Sequence, residues 1–182
     1  MGGPVIAALK SERGTTLIET TVATGMLLVA MAGLLGMAAL ATTYTENHGH
    51  LEARTAEYAQ DKMEQLLSLT YGDHVGDTVP FPATATGGCG LASAADVVAG
   101  CTGGSADTDT PVNKYVDWLT ADGSLLGGGA AQPTTWFYER VWQVTNPAAG
   151  LKQITVTATV RTSVGRAIIP RSTVVALKSK QF

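Results

Sequence analysis

The chain has 182 residues and a formal net charge of −3, from 12 basic and 15 acidic side chains. That length holds one domain or two small ones, and the weak acidity argues against a basic nucleic-acid-binding surface. Two cysteines exclude a zinc ribbon and a disulfide-dense scaffold, and leave one disulfide or two separate thiols.

The chain opens on a short segment, residues 1–14, that carries Lys10 and Arg13 and ends at Gly14. From Thr15 to Thr45 there are 31 residues and one charge, Glu19. Inside that stretch, Val22 to Ala41 is a run of 20 residues with no charge and a single hydroxyl, Thr24. A helix of this length rises about 30 Å, the thickness of a bilayer's hydrocarbon. A buried core helix is shorter and keeps a polar face. A secretory signal has a shorter apolar region, although Ala39-Leu40-Ala41 has the small-residue form of a cleavage site. A plain signal anchor uses Lys10 and Arg13 to hold the N-terminus in the cytoplasm. Neither membrane alternative accounts for Glu19, since a carboxylate costs up to ~3 kcal/mol near the centre of a spanning helix.

Residues 13–19 read Arg-Gly-Thr-Thr-Leu-Ile-Glu and run directly into the apolar helix. This order resembles the N-terminus of type IV prepilins and pseudopilins. The resemblance implies that a prepilin peptidase cuts between Gly14 and Thr15 and methylates the new amine of Thr15. Leu17, Ile18 and Glu19 then match the family's Leu-Ile-Glu, whereas Thr15 stands where the family usually has Phe. It further implies that Glu19 neutralises the N-terminal amine of an adjacent subunit during assembly. Physically, an ammonium and a carboxylate offset each other's desolvation in an apolar core. Glycine at the cut suits close approach of a protease to the backbone.

Past the membrane stretch, Ala56, Ala59, Met63, Leu66 and Thr70 are spaced 3, 4, 3 and 4 apart and form one helical face. Gly72 is the predicted left-handed stop. One helix from Thr15 to about Thr70 has 56 residues and a length of ~84 Å. Gly33 and Gly36 mark either a weak stretch of it or ordinary close packing of membrane helices. Residues 72–113 read as an irregular region with Cys89 and Cys101 12 positions apart. Outside the cytoplasm these are expected to pair; two free thiols are the alternative.

The last third reads as strands. Tyr115–Thr120, Ala121-Asp122-Gly123-Ser124 and Leu125-Leu126 form a hairpin, with Gly127-Gly128-Gly129 a loop. Trp136–Thr145 follows, then a turn at Asn146-Pro147-Ala148-Ala149-Gly150. Ile154, Val156, Ala158 and Val160 alternate with Thr155, Thr157, Thr159 and Arg161, which predicts one buried and one solvated face. Val164-Gly165 turns the chain into a last strand, Ile168–Lys178, which Pro170 marks either as an edge or as broken near its start. Three or four such strands with short links form an antiparallel meander, and the helix covers it.

The expected class is therefore α+β and type IV pilin-like: a long N-terminal helix, transmembrane in its first half, packed on an antiparallel β-meander. The expected parts are a leader at 1–14, an assembly helix at 15–45 and a globular region at 46–182. The cysteine pair between helix and sheet, the Tyr115–Gly123 segment and the Trp142-Gln143-Val144 strand look most like a minor pilin of the PilV kind. A minor pseudopilin of a secretion or DNA-uptake system is the alternative, and a tip-displayed ligand-binding adhesin is a third reading. The partners implied are prepilin peptidase, other pilin or pseudopilin subunits, an inner-membrane assembly platform and, before assembly, the bilayer, with the globular region outside the cytoplasm.

No catalytic constellation, cofactor motif or phosphate loop stands out. His48 and His50 point to different helix faces and do not make a metal pair. Asp107-Thr108-Asp109 begins like a calcium loop, but Val112 stands in place of the needed glycine. Residues 46–122 hold 12 acidic and 3 basic residues, and residues 123–182 hold 1 and 7. That asymmetry predicts internal pairing in one fold, or complementarity between neighbouring copies.

Overall fold

The computed structural model describes residues 16–161 and 169–180. The chain divides into two units, Met1–Thr43 and Tyr44–Phe182. One helix, α1, runs from Leu17 to Ser68 and has 52 residues. Thr16 precedes its first turn, and the backbone N–H of Glu19 reaches the Thr16 carbonyl at 2.9 Å and its Oγ1 at 3.4 Å.

In the first unit α1 is apolar around its whole circumference and exposed throughout. Its hydroxyls do not spoil that surface. Thr20 and Thr21 donate to the Leu17 carbonyl, Thr24 to Thr20, Thr42 to Ala38 and Thr43 to Ala39, all at 2.7–3.1 Å. Such back-bonding satisfies a hydroxyl without water.

In the second unit α1 becomes amphipathic. Thr55, Ala59, Lys62, Met63 and Leu66 are its buried residues. Ala59, Met63 and Leu66 fall on the face expected from their spacing. Ala56 is only half-buried, Thr70 lies exposed beyond the helix, and the buried stripe takes in Lys62. The helix ends four residues before Gly72, and Gly72 does not adopt a left-handed conformation. Lys178 serves the end instead, donating its Nζ to the Leu67 carbonyl at 2.6 Å, where a cation also complements the helix dipole.

Five antiparallel strands follow: β1 Val116–Leu119, β2 Leu125–Gly128, β3 Tyr138–Ala148, β4 Leu151–Val160 and β5 Arg171–Ser179. Their order is β2-β1-β3-β4-β5. The expected simple meander is thus corrected: β3 pairs with β1, so the chain returns past β1 after the hairpin. Gly127 and Gly128 belong to β2 rather than to a loop. The hairpin closes through Thr120, whose backbone N–H donates to the Ser124 carbonyl at 2.9 Å.

The predicted five-residue turn after β3 shrinks to Ala149-Gly150, with Gly150 at φ 73°. Asn146, Pro147 and Ala148 are drawn into β3, and a register shift between Thr145 and Ala148 accommodates them. A proline without an N–H fits such an irregularity. β5 is an edge strand, the first of the two readings of Pro170, and it begins at Arg171 directly after that proline. The expected turn at Val164-Gly165 and the expected strand start at Ile168 lie outside the described residues.

The main core joins Ala59, Met63 and Leu66 of α1 to Trp142, Val144, Ile154, Val156 and Ala158 of the sheet. The other sheet face is not simply solvated, which corrects the reading of β4. Thr157 and Thr159 are buried, their hydroxyls satisfied by Thr173 Oγ1 and the Pro170 carbonyl. On that face Val116, Trp118 and Val141 also form a small second core against Trp136.

Candidate functional site

The first turns of α1 present Leu17 at 84% exposure and Ile18 at 72%, with Glu19 exposed beside them. Exposed large side chains continue through Val22, Met26, Leu27, Val29, Leu34 and Leu40. The helix is long and apolar enough to cross a membrane. An apolar surface without a polar face is stable only against lipid or other apolar helices. Gly25, Gly33 and Gly36 leave open space where a side chain would stand, so packing within the described chain does not require glycine there. The expected cleavage residues Gly14 and Thr15, and the expected methylation of Thr15, lie outside the described residues.

In the second unit Cys89 and Cys101 form a disulfide with Cα atoms 5.7 Å apart. Both sulfurs are buried in the main core with Leu66, Leu91 and Trp142. The bridge therefore closes a loop within the irregular segment, and its two cysteines pack that loop against helix and sheet.

Charges missed in the sequence hold the same unit together. Lys62 and Asp117 are both fully buried and 2.7 Å apart. Arg140 grips Asp117 through two nitrogens at 2.7 and 3.0 Å and reaches Asp61 at 2.8 Å. Lys62 also donates to the Thr78 carbonyl, and its ammonium lies 4.3 Å from the centre of the Trp142 ring. Burial pulls the Lys62 pKa below its ordinary value, and Asp117 opposes that fall. For Arg140 burial acts in the same direction, but Asp117 and Asp61 outweigh it and raise its pKa.

A second centre joins Asp96 to Lys152 at 2.6 Å. Lys152 is buried and also donates to the Leu91 carbonyl at 2.8 Å. Burial tends to raise the Asp96 pKa; hydrogen bonds from Lys152 and from the N–H and hydroxyl of Ser93 overcome it, so the carboxyl lies far below its usual range. The only sequence signal for either centre was the regional charge asymmetry. Their acids come from 46–122 and their strand cations from 123–182, which is the internal pairing it predicted.

His48 lies 3.3 Å from Glu52 along the helix, an ordinary i, i+4 contact. Asp107 caps its own turn, accepting the Asp109 N–H at 3.0 Å. Among the described residues no three histidine, cysteine or acidic side chains are gathered to hold a metal ion. No family model, curated protein or solved structure matches the chain.

Proposed function

We propose that this chain is a minor structural subunit of a type IV pilus-like filament and carries out no catalysis. The observation that carries the reading is the first part of α1. It is an exposed helix, apolar all round, with one carboxylate in its first turn, and it leads by the same helix into a disulfide-tied α+β unit. The motif Arg13-Gly14-Thr15-Thr16-Leu17-Ile18-Glu19 runs into it, its last three residues being the first three of α1. Before assembly such a helix is at home in the cytoplasmic membrane, with the disulfide-bearing unit outside the cytoplasm. Prepilin peptidase then removes residues 1–14 and methylates Thr15, and an inner-membrane platform moves the helix from lipid into a filament of pilin subunits. Glu19 meets the amine of a neighbour's Thr15 there, so neither charge enters the apolar core alone.

The test is the mass and N-terminal sequence of the mature protein. A chain beginning at N-methylated Thr15 is expected, and replacing Gly14 with a bulky residue should leave full-length precursor in the membrane fraction. A mature chain beginning at Thr42 overturns the reading in favour of a secretory signal.

A further inference from the structure

β5 is an outer strand of the sheet and pairs with β4 alone. Its 9 residues meet β4 in one unbroken register, from Leu151↔Ser179 to Thr159↔Arg171. Along an antiparallel strand, residues that bond to one neighbour alternate with residues that bond to the other. The phase is fixed at both ends of β5. The Lys180 N–H donates to the Gly150 carbonyl at 2.8 Å, and the Val160 N–H donates to the Pro170 carbonyl at 3.4 Å. The even-numbered residues therefore spend their backbone groups on β4. The N–H and C=O groups of Arg171, Thr173, Val175, Leu177 and Ser179 point away from the sheet, and among the described residues no backbone group pairs with them. Proteins blunt such edges with bulges, prolines or charges. β5 has no bulge and no proline, and its charges, Arg171 and Lys178, stand towards its two ends. Between them residues 172–177 are uncharged, with Val175 56% exposed and Leu177, which follows it on the same face, 61% exposed. This edge is a free template for one more strand.

In strand addition the backbone supplies affinity and the side chains choose the partner. Val174 and Ala176 pack against the main core, so the even positions of β5 face α1 and Thr173, Val175 and Leu177 stand on the other face. A residue placed directly opposite shares the face of its cross-strand neighbour. Val175 and Leu177 thus call for apolar residues opposite them. Charge decides the rest. Residues 169–180 hold three cations, Arg171, Lys178 and Lys180, and no acid. The one charge of β4, Lys152, is buried against Asp96. Arg171 donates to Thr108 Oγ1, which leaves the selection to the two lysines. Lys178 spends one N–H on the Leu67 carbonyl and keeps two of its three donors, and Lys180 is exposed. Both call for carboxylates opposite them. The β5 of a second copy brings further cations instead, so it is the poorer partner.

We propose that β5 takes up an extended acidic segment of another protein as a sixth, antiparallel strand, with carboxylates opposite Lys180 and Lys178 and apolar residues opposite Leu177 and Val175. The antiparallel sense continues the sheet and gives the stronger ladder. Read from its N-terminus, the segment runs acid, any residue, acid, apolar, any residue, apolar. The site does not depend on the filament reading. The experiment uses the full chain in nanodiscs of zwitterionic lipid, which offer the lysines no anionic headgroup. The probe is the peptide Glu-Ser-Glu-Val-Thr-Val-Thr-Thr-Thr, blocked at its N-terminus and labelled with a fluorophore at its C-terminus. A control peptide has Lys in place of both Glu. Fluorescence anisotropy should saturate with the probe, and the control should bind at least about tenfold more weakly. Hydrogen exchange followed by mass spectrometry should slow in residues 171–179 when the probe is bound. Val175→Pro removes the central outward N–H, which an outer strand tolerates, and should weaken binding by about tenfold or more. Lys180→Glu, at an exposed position that leaves the fold intact, should weaken it about fivefold. Failure of the probe to saturate overturns the proposal. So does equal binding of the control, or binding that neither variant weakens. Slowed exchange in 171–179 that grows with protein concentration and needs no probe overturns it in favour of a second copy of the chain.

Discussion

Glu139 is stable as a neutral acid and costly as an anion, and this sets a pH dependence. Its carboxyl rises from an ordinary 4.5 to about 7 in the folded chain, through burial first and then Asp109 and Asp107, against Arg171. Folding therefore takes up a proton between those two values. The contribution of Glu139 to stability falls as pH rises from about 4.5 through 7 and stays at its lowest above 7. The full rise corresponds to roughly 3 kcal/mol, and the relaxation and water penetration that accompany a buried charge reduce it to about 1–2 kcal/mol. Glu139→Gln should thus melt a few degrees higher than the parent at pH 8 and show little difference at pH 4.5. Equal differences at the two pH values in thermal melts followed by circular dichroism would disprove the assignment.

Asp117 is the opposite case, a buried acid whose removal strands two cations. Lys62 and Arg140 both depend on it, at 2.7 Å each. Asp117→Asn should cost about 3–5 kcal/mol, because breaking a buried pair leaves charge uncompensated. Lys62→Met should cost less, about 1–2 kcal/mol, since Arg140 still neutralises Asp117 and only the Thr78 carbonyl loses its donor. Urea midpoints give the ranking, and a larger loss for Lys62→Met reverses the proposed centre of the network.

At the scale of elements, the disulfide and the sheet make separate contributions. The bridge closes a loop of sequence separation 12 inside the irregular segment, whereas β1 to β5 lie wholly outside it. Replacing Cys89 and Cys101 together by Ser should cost roughly 2–3 kcal/mol. Hydrogen exchange should rise first near Leu91 and Ala92, with the β3–β4 ladder protected until global unfolding. Simultaneous loss of protection in β3 and β4 would show that the bridge supports the sheet directly. Elements with a repeating period were legible in the sequence: the 3-4 spacing of Ala59, Met63 and Leu66, and the alternation of Ile154, Val156 and Ala158. The buried charges were not, because a lysine or arginine inside an apolar stripe reads as a solvent-facing break. Their partners lie 79 positions apart for Arg140 and Asp61 and 23 for Arg140 and Asp117, too far for any local pattern. Strand order was hidden for a related reason. Strand propensity marks β1, β2 and β3, but the pairing of β3 with β1 is set by where Trp118, Val141 and Trp136 can share a core.

At the scale of the whole molecule, Glu19 admits two roles that differ in magnitude. It stands at the third position of α1, three residues after Thr16, where an acid complements the helix dipole. That role is worth about 0.3–1 kcal/mol, less than about a fivefold effect on any assembly equilibrium. In the proposed filament it also neutralises the amine of a neighbour's Thr15, and losing that partner leaves a charge in an apolar core at a cost of several kcal/mol. Glu19→Ala makes the helix more apolar, so membrane insertion should be unimpaired. Cleavage after Gly14 should persist, because the changed side chain is not at the cut. The expected result is mature monomer accumulating in the membrane fraction, with sheared filaments depleted by more than about tenfold. Glu19→Asp keeps the charge at the same helix position and should retain part of the assembly that Glu19→Ala loses. Incorporation of Glu19→Ala within about fivefold of the parent leaves the dipole as its whole role and removes the amine partnership from the assembly step.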